Sequence, residues 1–264
     1  MVGFAFIHVP KCGGTAVRVA LSQAGIWRAS TKYHGPRAVP PSDRVGMSPD
    51  MLDTIYDIQD MRNAYESGES IGGHIWTKSA LDAGFTRIRG VVREPRSRLL
   101  SLYRYWQAEN PEILLNRFGA KGRFVLSALE GDFEYFLRAG QGQLDIDNGI
   151  ARYLGALTEV KRRDTSQFDV RFYWTTELDL MVTELAGVEA PEPTGRVPRL
   201  NVTHVKGIHE ELTPAVRSLL HQRTKDDSSA LKHLMKRGWA NSRSRAELDG
   251  EFESTLQSLD FSLG

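Results

Sequence analysis

The chain has 264 residues and a formal net charge of +1, from 34 Lys and Arg against 33 Asp and Glu. Hydrophobic residues make up 41% and charged residues 25%, which argues against a disordered, collagen-like or coiled-coil protein. So small a basic excess argues against a protein that coats nucleic acid, and any anion site must be local. With Cys12 as the single cysteine, an intramolecular disulfide and a zinc site built on several thiolates are excluded.

The sequence also lacks the usual targeting signals. The longest apolar run near the start is residues 4–9, far short of the ~18 residues that indicate a membrane span. No basic stretch precedes this run and no small-residue cleavage site follows it, so it does not resemble a signal peptide. These features predict a cytoplasmic protein without a membrane span.

Strand and helix signals alternate along the chain. Residues 3–9 predict a strand, a glycine-containing turn follows at 10–15, and apolar residues then recur at helical spacing until Gly25. Residues 29–50, rich in Pro, Gly, Ser and charge, predict a surface excursion. Further strands are predicted at 69–73, 87–92 and 170–174. Further helices are predicted from residue 95 onward and at 123–138, 147–157, 176–186, 209–222, 226–237 and 243–258. This order predicts one α/β domain over residues 1–264, a three-layer fold with a central, mostly parallel sheet flanked by helices.

The first candidate site is the turn at residues 10–15, PKCGGT. Its two glycines let main-chain N–H groups approach an anion closely, and the following helix adds free N–H groups and a positive dipole end. Lys11 supplies a full charge and Thr15 a hydroxyl, so the turn predicts a phosphate or sulfate cradle. A glycine-rich helix start without a ligand is the alternative. Lys11 precedes the glycines, unlike the lysine of a Walker A loop, which disfavours an ATPase or GTPase.

The second candidate site is residues 91–106, VVREPRSRLLSLYRYW. Arg93 follows a strand at its carboxyl end, where open α/β sheets bind ligands, and Ser101 lies eight residues later on the next helix. A guanidinium can hold a phosphate through two hydrogen bonds, and a serine hydroxyl can complete the shell. The other arginines of the segment are interpreted as a solvated basic face: Arg96, Arg98 and Arg104.

The third candidate is His74, which follows Gly72 and Gly73 at the end of a short strand. Two glycines clear space beside the imidazole, and the ordinary pKa of histidine, near 6.5, suits a general base at neutral pH. A purely structural histidine is the alternative. His8 lies inside the first strand, where packing and a hydrogen bond explain it better than catalysis.

These motifs, in this order, resemble those of sulfotransferases that use 3′-phosphoadenosine 5′-phosphosulfate (PAPS). Residues 6–17, FIHVPKCGGTAV, resemble the 5′-phosphosulfate loop of carbohydrate sulfotransferases of the heparan sulfate 2-O-sulfotransferase type. Residues 91–106 resemble the strand and helix that hold the 3′-phosphate, including the spacing of eight residues from arginine to serine. The Gly-His pair matches the position of the base histidine, and residues 147–155, DNGIARYLG, resemble an N-x-x-x-R-Y-L-x-G element.

The resemblance implies a P-loop-like fold and transfer of a sulfuryl group from PAPS to an acceptor hydroxyl, of a carbohydrate or similar polyol. Lys11 would neutralise the leaving phosphate and His74 would take the acceptor's proton, with no metal required. Aromatic side chains near the motifs could line the acceptor cleft, although core packing explains them as well: Trp76, Tyr103, Tyr105 and Trp106. The residues expected to contact PAPS are Lys11, Cys12, Gly13, Gly14, Thr15, Ala16, Arg93, Ser101, Asn201 and Thr203.

Two further kinds of function fit part of the sequence. Cys12 and Arg18 satisfy the C-x5-R spacing of cysteine phosphatases, in which a thiolate is the nucleophile. Val19 stands where such enzymes have Ser or Thr, and this function leaves Arg93, Ser101 and His74 unexplained. The glycine-rich turn would also suit a nucleotide-binding module without catalytic activity, or a different nucleotide-dependent transferase such as a kinase.

Overall fold

The computed structural model describes residues 3–23, 33–34, 58–112, 123–159, 168–186 and 212–257. At its centre lies a sheet of five strands in the order β2-β3-β1-β4-β5, with every neighbouring pair parallel. The strands are β1 Ala5–His8, β2 Tyr33–His34, β3 Ile71–Gly73, β4 Arg87–Val92 and β5 Asp169–Trp174. The predicted α/β fold with a parallel central sheet is therefore confirmed.

The strands are apolar because both faces of the sheet are covered. All residues of β1 and β3 are buried, and in β4 only Arg87 is partly exposed. Parallel strands under helices show continuous apolar runs instead of an alternating pattern. This is why the sequence reveals β1, β4 and β5 clearly. The two-residue β2, at one edge of the sheet, lies within the predicted surface excursion of 29–50, and the rest of that segment lies outside the described residues.

The helices agree with most of the predicted segments. In chain order they are α1 Gly14–Gln23, α2 Ile58–Glu66, α3 Thr77–Asp82, α4 Pro95–Ala108, α5 Arg123–Glu130, α6 Phe133–Ala139, α7 Leu144–Asp147, α8 Ala151–Glu159, α9 Leu178–Ala186, α10 Pro214–Arg223, α11 Lys225–Lys236 and α12 Arg245–Gln257. A 3-10 turn, Thr175–Glu177, joins β5 to α9. Helices α2, α3 and α7 are not predicted from the sequence. The single helix predicted at 123–138 is two helices, because Asp132 caps a new helix by accepting a hydrogen bond from the Tyr135 N–H.

The connections between strands place helices on both faces of the sheet. The chain moves in one direction across the sheet from β1 to β2 and in the opposite direction from β3 to β4. Since such connections are almost always right-handed, α1 and α3 cover opposite faces. Helix α1 packs with α9, whereas α8 packs with both α3 and α11. The three layers predicted from the sequence are therefore present.

Two apolar clusters stabilise this architecture. The larger one surrounds the sheet, and the smaller one joins α4 to α5, α6, α10 and α12. Tyr103 and Trp106 belong to the smaller cluster and are 1% and 2% exposed, so core packing and not an acceptor cleft explains them. Within the described ranges, no helix is long and apolar enough to cross a membrane.

Candidate functional site

Three candidate side chains follow three neighbouring strands at the same edge of the sheet. Lys11 lies three residues after β1, His74 directly follows β3, and Arg93 directly follows β4. Strands β3, β1 and β4 are adjacent and parallel, so their carboxyl ends meet at one edge. This is the edge at which open α/β sheets bind ligands. The fold therefore gathers three separate sequence motifs into one region.

The loop after β1 has the backbone that an anion cradle requires. Lys11 and Gly13 both adopt the left-handed region, with φ of 66° and 79°. Glycine does so freely, whereas a lysine there costs about 1 kcal/mol, and strain of this kind is concentrated at functional sites. Helix α1 begins at Gly14, and the first N–H groups of a helix have no acceptor within it. The N–H groups of Gly14, Thr15 and Ala16 are therefore available to an anion.

The Lys11 ammonium is held against helix α4. Its Nζ lies 3.9 Å from the centroid of the Tyr105 ring, which is within the range of a cation–π interaction. Burial, followed by the positive charge of Arg93, lowers the pKa of Lys11 from 10.5 to about 8. The positive charge of Arg93 therefore acts unfavourably on the Lys11 ammonium. A ligand with several negative charges would relieve that repulsion.

Helix α4 connects this ammonium to the other predicted phosphate contacts. Ser101 and Tyr105 are both partly exposed and stand four residues apart, so they are neighbours on one face of the helix. Tyr105 contacts Lys11, so Ser101 lies one helical turn along α4 from the residue that contacts the ammonium. Arg93 precedes the same helix. Helix α4 and the residue before it therefore carry both predicted 3′-phosphate contacts and the ring that contacts Lys11.

The beginning of α4 is already capped by its own side chains. Glu94, 3% exposed, accepts a hydrogen bond from the Ser97 N–H at 2.7 Å. Arg93 is partly exposed, and its Nη2 donates to Thr255 Oγ1 of α12 at 3.4 Å. Because Glu94 satisfies the end of the helix, anion binding here depends on the side chains of Arg93 and Ser101.

His74 is oriented as a base. Its Nδ1 lies 2.8 Å from the main-chain oxygen of His8. A carbonyl oxygen can only accept, so Nδ1 carries the hydrogen, and in the neutral imidazole the lone pair is on Nε2. The His74 ring is partly exposed and stacks on the His8 ring, with centroids 4.2 Å apart and planes 22° apart. The Tyr153 ring lies 6.4 Å away. A neutral imidazole with this tautomer can accept a proton at Nε2.

The interpretation of three arginines as a solvated basic face is wrong. Arg98 is fully buried and Arg104 is 8% exposed. The Arg96 side chain, 24% exposed, forms ion pairs with Glu94 and Asp249. Helix α4 is covered on several sides by α5 and α12, which leaves little solvated surface for its arginines. These side chains hold the helix that carries the site.

Arg98 also explains the element at 147–155. Its Nε lies 3.7 Å from Asp227 Oδ2, and both side chains are fully buried. Asp227 Oδ1 accepts hydrogen bonds from the N–H groups of Ile150 and Ala151, each at 2.8 Å, and so caps the beginning of α8. A Cβ at Gly149 would lie 2.0 Å from Arg98 Nη2, so glycine is required there. The glycine of this element therefore makes room for a buried ion pair.

The remaining predicted contacts have different outcomes. Cys12 is fully buried, and burial raises its pKa to about 12, so it is a thiol at neutral pH. Cys12 lies in the loop, whereas Ala16, 7% exposed, lies in the first turn of α1, and each could offer an anion only main-chain atoms. Asn201 and Thr203 lie outside the described residues. Trp76 is partly exposed and lies two residues after His74, so of the four aromatic side chains it remains a candidate for the acceptor cleft.

Sequence reasoning misses the roles of two residues of the site. Tyr105 is a candidate for the acceptor cleft from its sequence position, but its ring contacts the Lys11 ammonium. The position of His8 indicates packing alone, but its main chain and its ring both contact His74. The spacing of four residues from Ser101 to Tyr105 is the sequence signal that could have indicated the first contact. The second depends on the pairing of β1 with β3, which no local pattern reveals.

Comparison of the chain with models of known protein families and with curated proteins found no match. The function therefore has to be inferred from the site itself. Across the part of the chain that the structure describes, no group of three or more His, Cys, Asp or Glu side chains could hold a metal ion.

Lys11→Met is expected to stabilise the protein at pH 7. The pKa of Lys11 is lowered from 10.5 to about 8 in the folded state, which corresponds to a folding penalty of about 3 kcal/mol. Below pH 8 the lysine is charged in both states and the full penalty applies. Between pH 8 and 10.5 the unfolded state binds more protons, so the wild type gains stability with rising pH and the advantage of the variant shrinks. Urea unfolding of both proteins at pH 7 and pH 10 measures this difference.

The exposed Lys232 of α11 provides the matched control. Lys232→Met removes the same charge from the surface and should change the free energy of unfolding by less than about 0.5 kcal/mol at either pH. A Lys11→Met protein no more stable than the control at pH 7 would contradict the buried, strained state of Lys11.

Proposed function

We propose that this protein is a sulfotransferase that moves a sulfuryl group from PAPS to an acceptor hydroxyl of a carbohydrate or similar polyol. The observation that carries the proposal is the meeting of Lys11, Arg93 and His74 at the carboxyl ends of three adjacent strands. Two cations at one edge of the sheet suit a donor with phosphate groups at both ends of its adenosine. A base beside them suits an acceptor that must lose a proton.

The donor would bind across the face of α4. Lys11 and the N–H groups of Gly14 and Thr15 would hold the 5′-phosphosulfate, because the loop directs a full charge and the dipole of α1 to that point. Arg93 and Ser101 would hold the 3′-phosphate through charge-assisted hydrogen bonds. The 3′-phosphate contacts would distinguish PAPS from ATP and from ordinary adenylates.

The transfer step follows from these positions. The acceptor oxygen attacks the sulfur in line, forming a new S–O bond while the bond from sulfur to the 5′-phosphate oxygen breaks. His74 Nε2 takes the hydroxyl proton, and the electron pair of the broken bond remains on the phosphate as negative charge. Lys11 lies where that charge develops, so its stabilising effect is greatest in the transition state. The products are a sulfate ester and 3′,5′-adenosine bisphosphate.

The state of Cys12 disfavours a cysteine phosphatase. Such an enzyme needs a thiolate that can reach its substrate, whereas Cys12 is fully buried and its pKa is raised to about 12. A cysteine phosphatase mechanism would also leave His74, Lys11 and Arg93 without a role. Treatment with iodoacetamide should therefore leave donor binding unchanged.

Thermal unfolding with three nucleotides tests donor recognition. We expect 3′,5′-adenosine bisphosphate at ~100 times its Kd to stabilise the protein by about 2.7 kcal/mol, or about 7 °C. AMP and ATP should give much smaller shifts at the same concentration, because neither carries the 3′-phosphate that Arg93 would bind. In Arg93→Ala the preference for the bisphosphate should disappear, while the exposed-site variant Arg217→Ala should retain it. Equal shifts with all three nucleotides would contradict the proposal, and binding without transfer to any hydroxyl compound would indicate a nucleotide-binding module.

A further inference from the structure

His8 lies between the two halves of the site. It is the last residue of β1, 7% exposed, and β1 is the strand between β3 and β4. The loop that begins after it would hold the donor, and His74 on the neighbouring strand would act on the acceptor. The following inference rests on that proposed function.

His8 contacts His74 in two independent ways. Its main-chain oxygen accepts the hydrogen of His74 Nδ1 at 2.8 Å, which selects the tautomer. Its ring stacks on the His74 ring, with centroids 4.2 Å apart and planes only 22° apart. The hydrogen bond alone would permit the imidazole to tilt out of line with the His8 oxygen, which would weaken the bond. The stacked ring restricts that movement, so the two contacts together fix both the tautomer and the plane of the base.

His8 also contacts the donor loop. A Cβ on Gly14 would lie 1.9 Å from His8 Cδ2 and 2.2 Å from Nε2, so the His8 ring occupies the space beside the Gly14 main chain. Gly14 is the first residue of α1 and one of the N–H donors of the cradle. The ring of His8 is therefore packed between His74, which follows β3, and the anion loop, which follows β1.

We propose that His8 is a positioning residue that fixes the tautomer and ring plane of His74 and connects the base to the donor loop. Substitutions can separate the contribution of its ring from that of its main chain. His8→Ala keeps the carbonyl and removes the stack, and His8→Phe keeps a flat ring. Gly14→Ala keeps both histidines in the sequence but forces the His8 ring to move, because the added Cβ would overlap that ring.

The tautomer of His74 can be observed directly by NMR. In protein labelled with 15N-histidine at pH 8.5, long-range correlation spectra distinguish the two neutral tautomers, and His74→Ala assigns the signal among the seven histidines. We expect the wild type and His8→Phe to show the Nδ1–H tautomer alone. His8→Ala keeps the carbonyl but removes the ring that holds the imidazole in line with it, and Gly14→Ala displaces that ring. In both variants the hydrogen bond to Nδ1 should loosen, so a mixture of tautomers should appear at His74. Gly250→Ala, where an added Cβ meets nothing within 4 Å, should match the wild type.

Turnover provides a second measurement. His8→Ala should lower the transfer rate about 10- to 100-fold, as misplacement of a catalytic group does, without changing the Kd for 3′,5′-adenosine bisphosphate. In a protein that already carries His74→Ala, adding His8→Ala should not lower the transfer rate further, because His8 acts through His74. A structural role alone would instead lower the rate equally in both backgrounds.

The outcomes separate this inference from the proposed function. An unchanged His74 tautomer in both His8→Ala and Gly14→Ala would overturn the role of His8, whatever the nucleotides do. If His8→Ala does not fold, the spectrum of Gly14→Ala decides in the same way. A tautomer that responds to His8 in a protein that 3′,5′-adenosine bisphosphate does not stabilise would support the positioning role and reject the sulfotransferase.

Discussion

Under the proposed function, His74→Ala is expected to lower the rate of sulfuryl transfer by ~10²–10⁴-fold while the protein still binds the donor. A positioned general base contributes about this much, and the imidazole is held with its lone pair on Nε2 by the His8 carbonyl. His74 does not belong to the loop after β1 or to α4, so the donor contacts remain. The measurement is the initial rate of transfer from radiolabelled PAPS to a panel of saccharides, together with the Kd for 3′,5′-adenosine bisphosphate.

Arg93→Ala is the matched comparison, because it should weaken donor binding and leave turnover largely unchanged. The loss of a charge-assisted contact to a phosphate costs about 1.5–3 kcal/mol, which weakens donor binding roughly 10- to 100-fold. Turnover at saturating donor should change much less than in His74→Ala. The assigned roles are wrong if both variants lose affinity and neither loses turnover.

Asp227→Ala is expected to destabilise the protein by about 4 kcal/mol, or about 10 °C in Tm. Asp227 is fully buried, faces the Arg98 guanidinium and accepts two N–H groups at the beginning of α8. Its removal leaves a charge on Arg98 that has lost its carboxylate and a helix that has lost its cap. Circular dichroism during thermal unfolding measures the effect.

The exposed pair of Arg217 and Glu253 provides the control for this substitution. Its two side chains are 49% and 48% exposed, and exposed ion pairs contribute at most about 1 kcal/mol. Glu253→Ala should therefore lower the Tm by less than about 3 °C. Similar losses from the two variants would mean that burial does not determine the contribution of the Arg98–Asp227 pair.

The features that the sequence predicts best are those formed by residues that are consecutive in the chain. Strand β4 is followed at once by Arg93 and by Pro95 at the beginning of a helix, so the element bounds and the position of the arginine follow from local pattern alone. The loop after β1 is similar, because its glycines and its lysine are adjacent in the chain. Both motifs lie at the predicted edge of the sheet.

The features that it does not predict depend on residues far apart in the chain. The sequence alone places Arg98 on a surface, since burying a charge is costly, and only the fold brings Asp227 of α11 beside it. In the sequence, nothing distinguishes His8 from the other residues of its apolar strand. Only the pairing of β3 with β1 brings His74 against its ring. Which distant residues contact each other depends on the order of strands and helices in the folded protein, and the periodicity of the sequence does not indicate it.

The contact between Arg93 and Thr255 joins positions 162 residues apart, so the last described helix contributes to the surroundings of an arginine in the first half of the chain. During synthesis on the ribosome, the surroundings of Arg93 therefore stay incomplete until α12 has emerged. A fragment ending after α4 would contain Lys11, His74 and Arg93 and still lack the helix that accepts the Arg93 hydrogen bond. Under the proposed function, nascent chains should gain their full nucleotide affinity only after that helix docks.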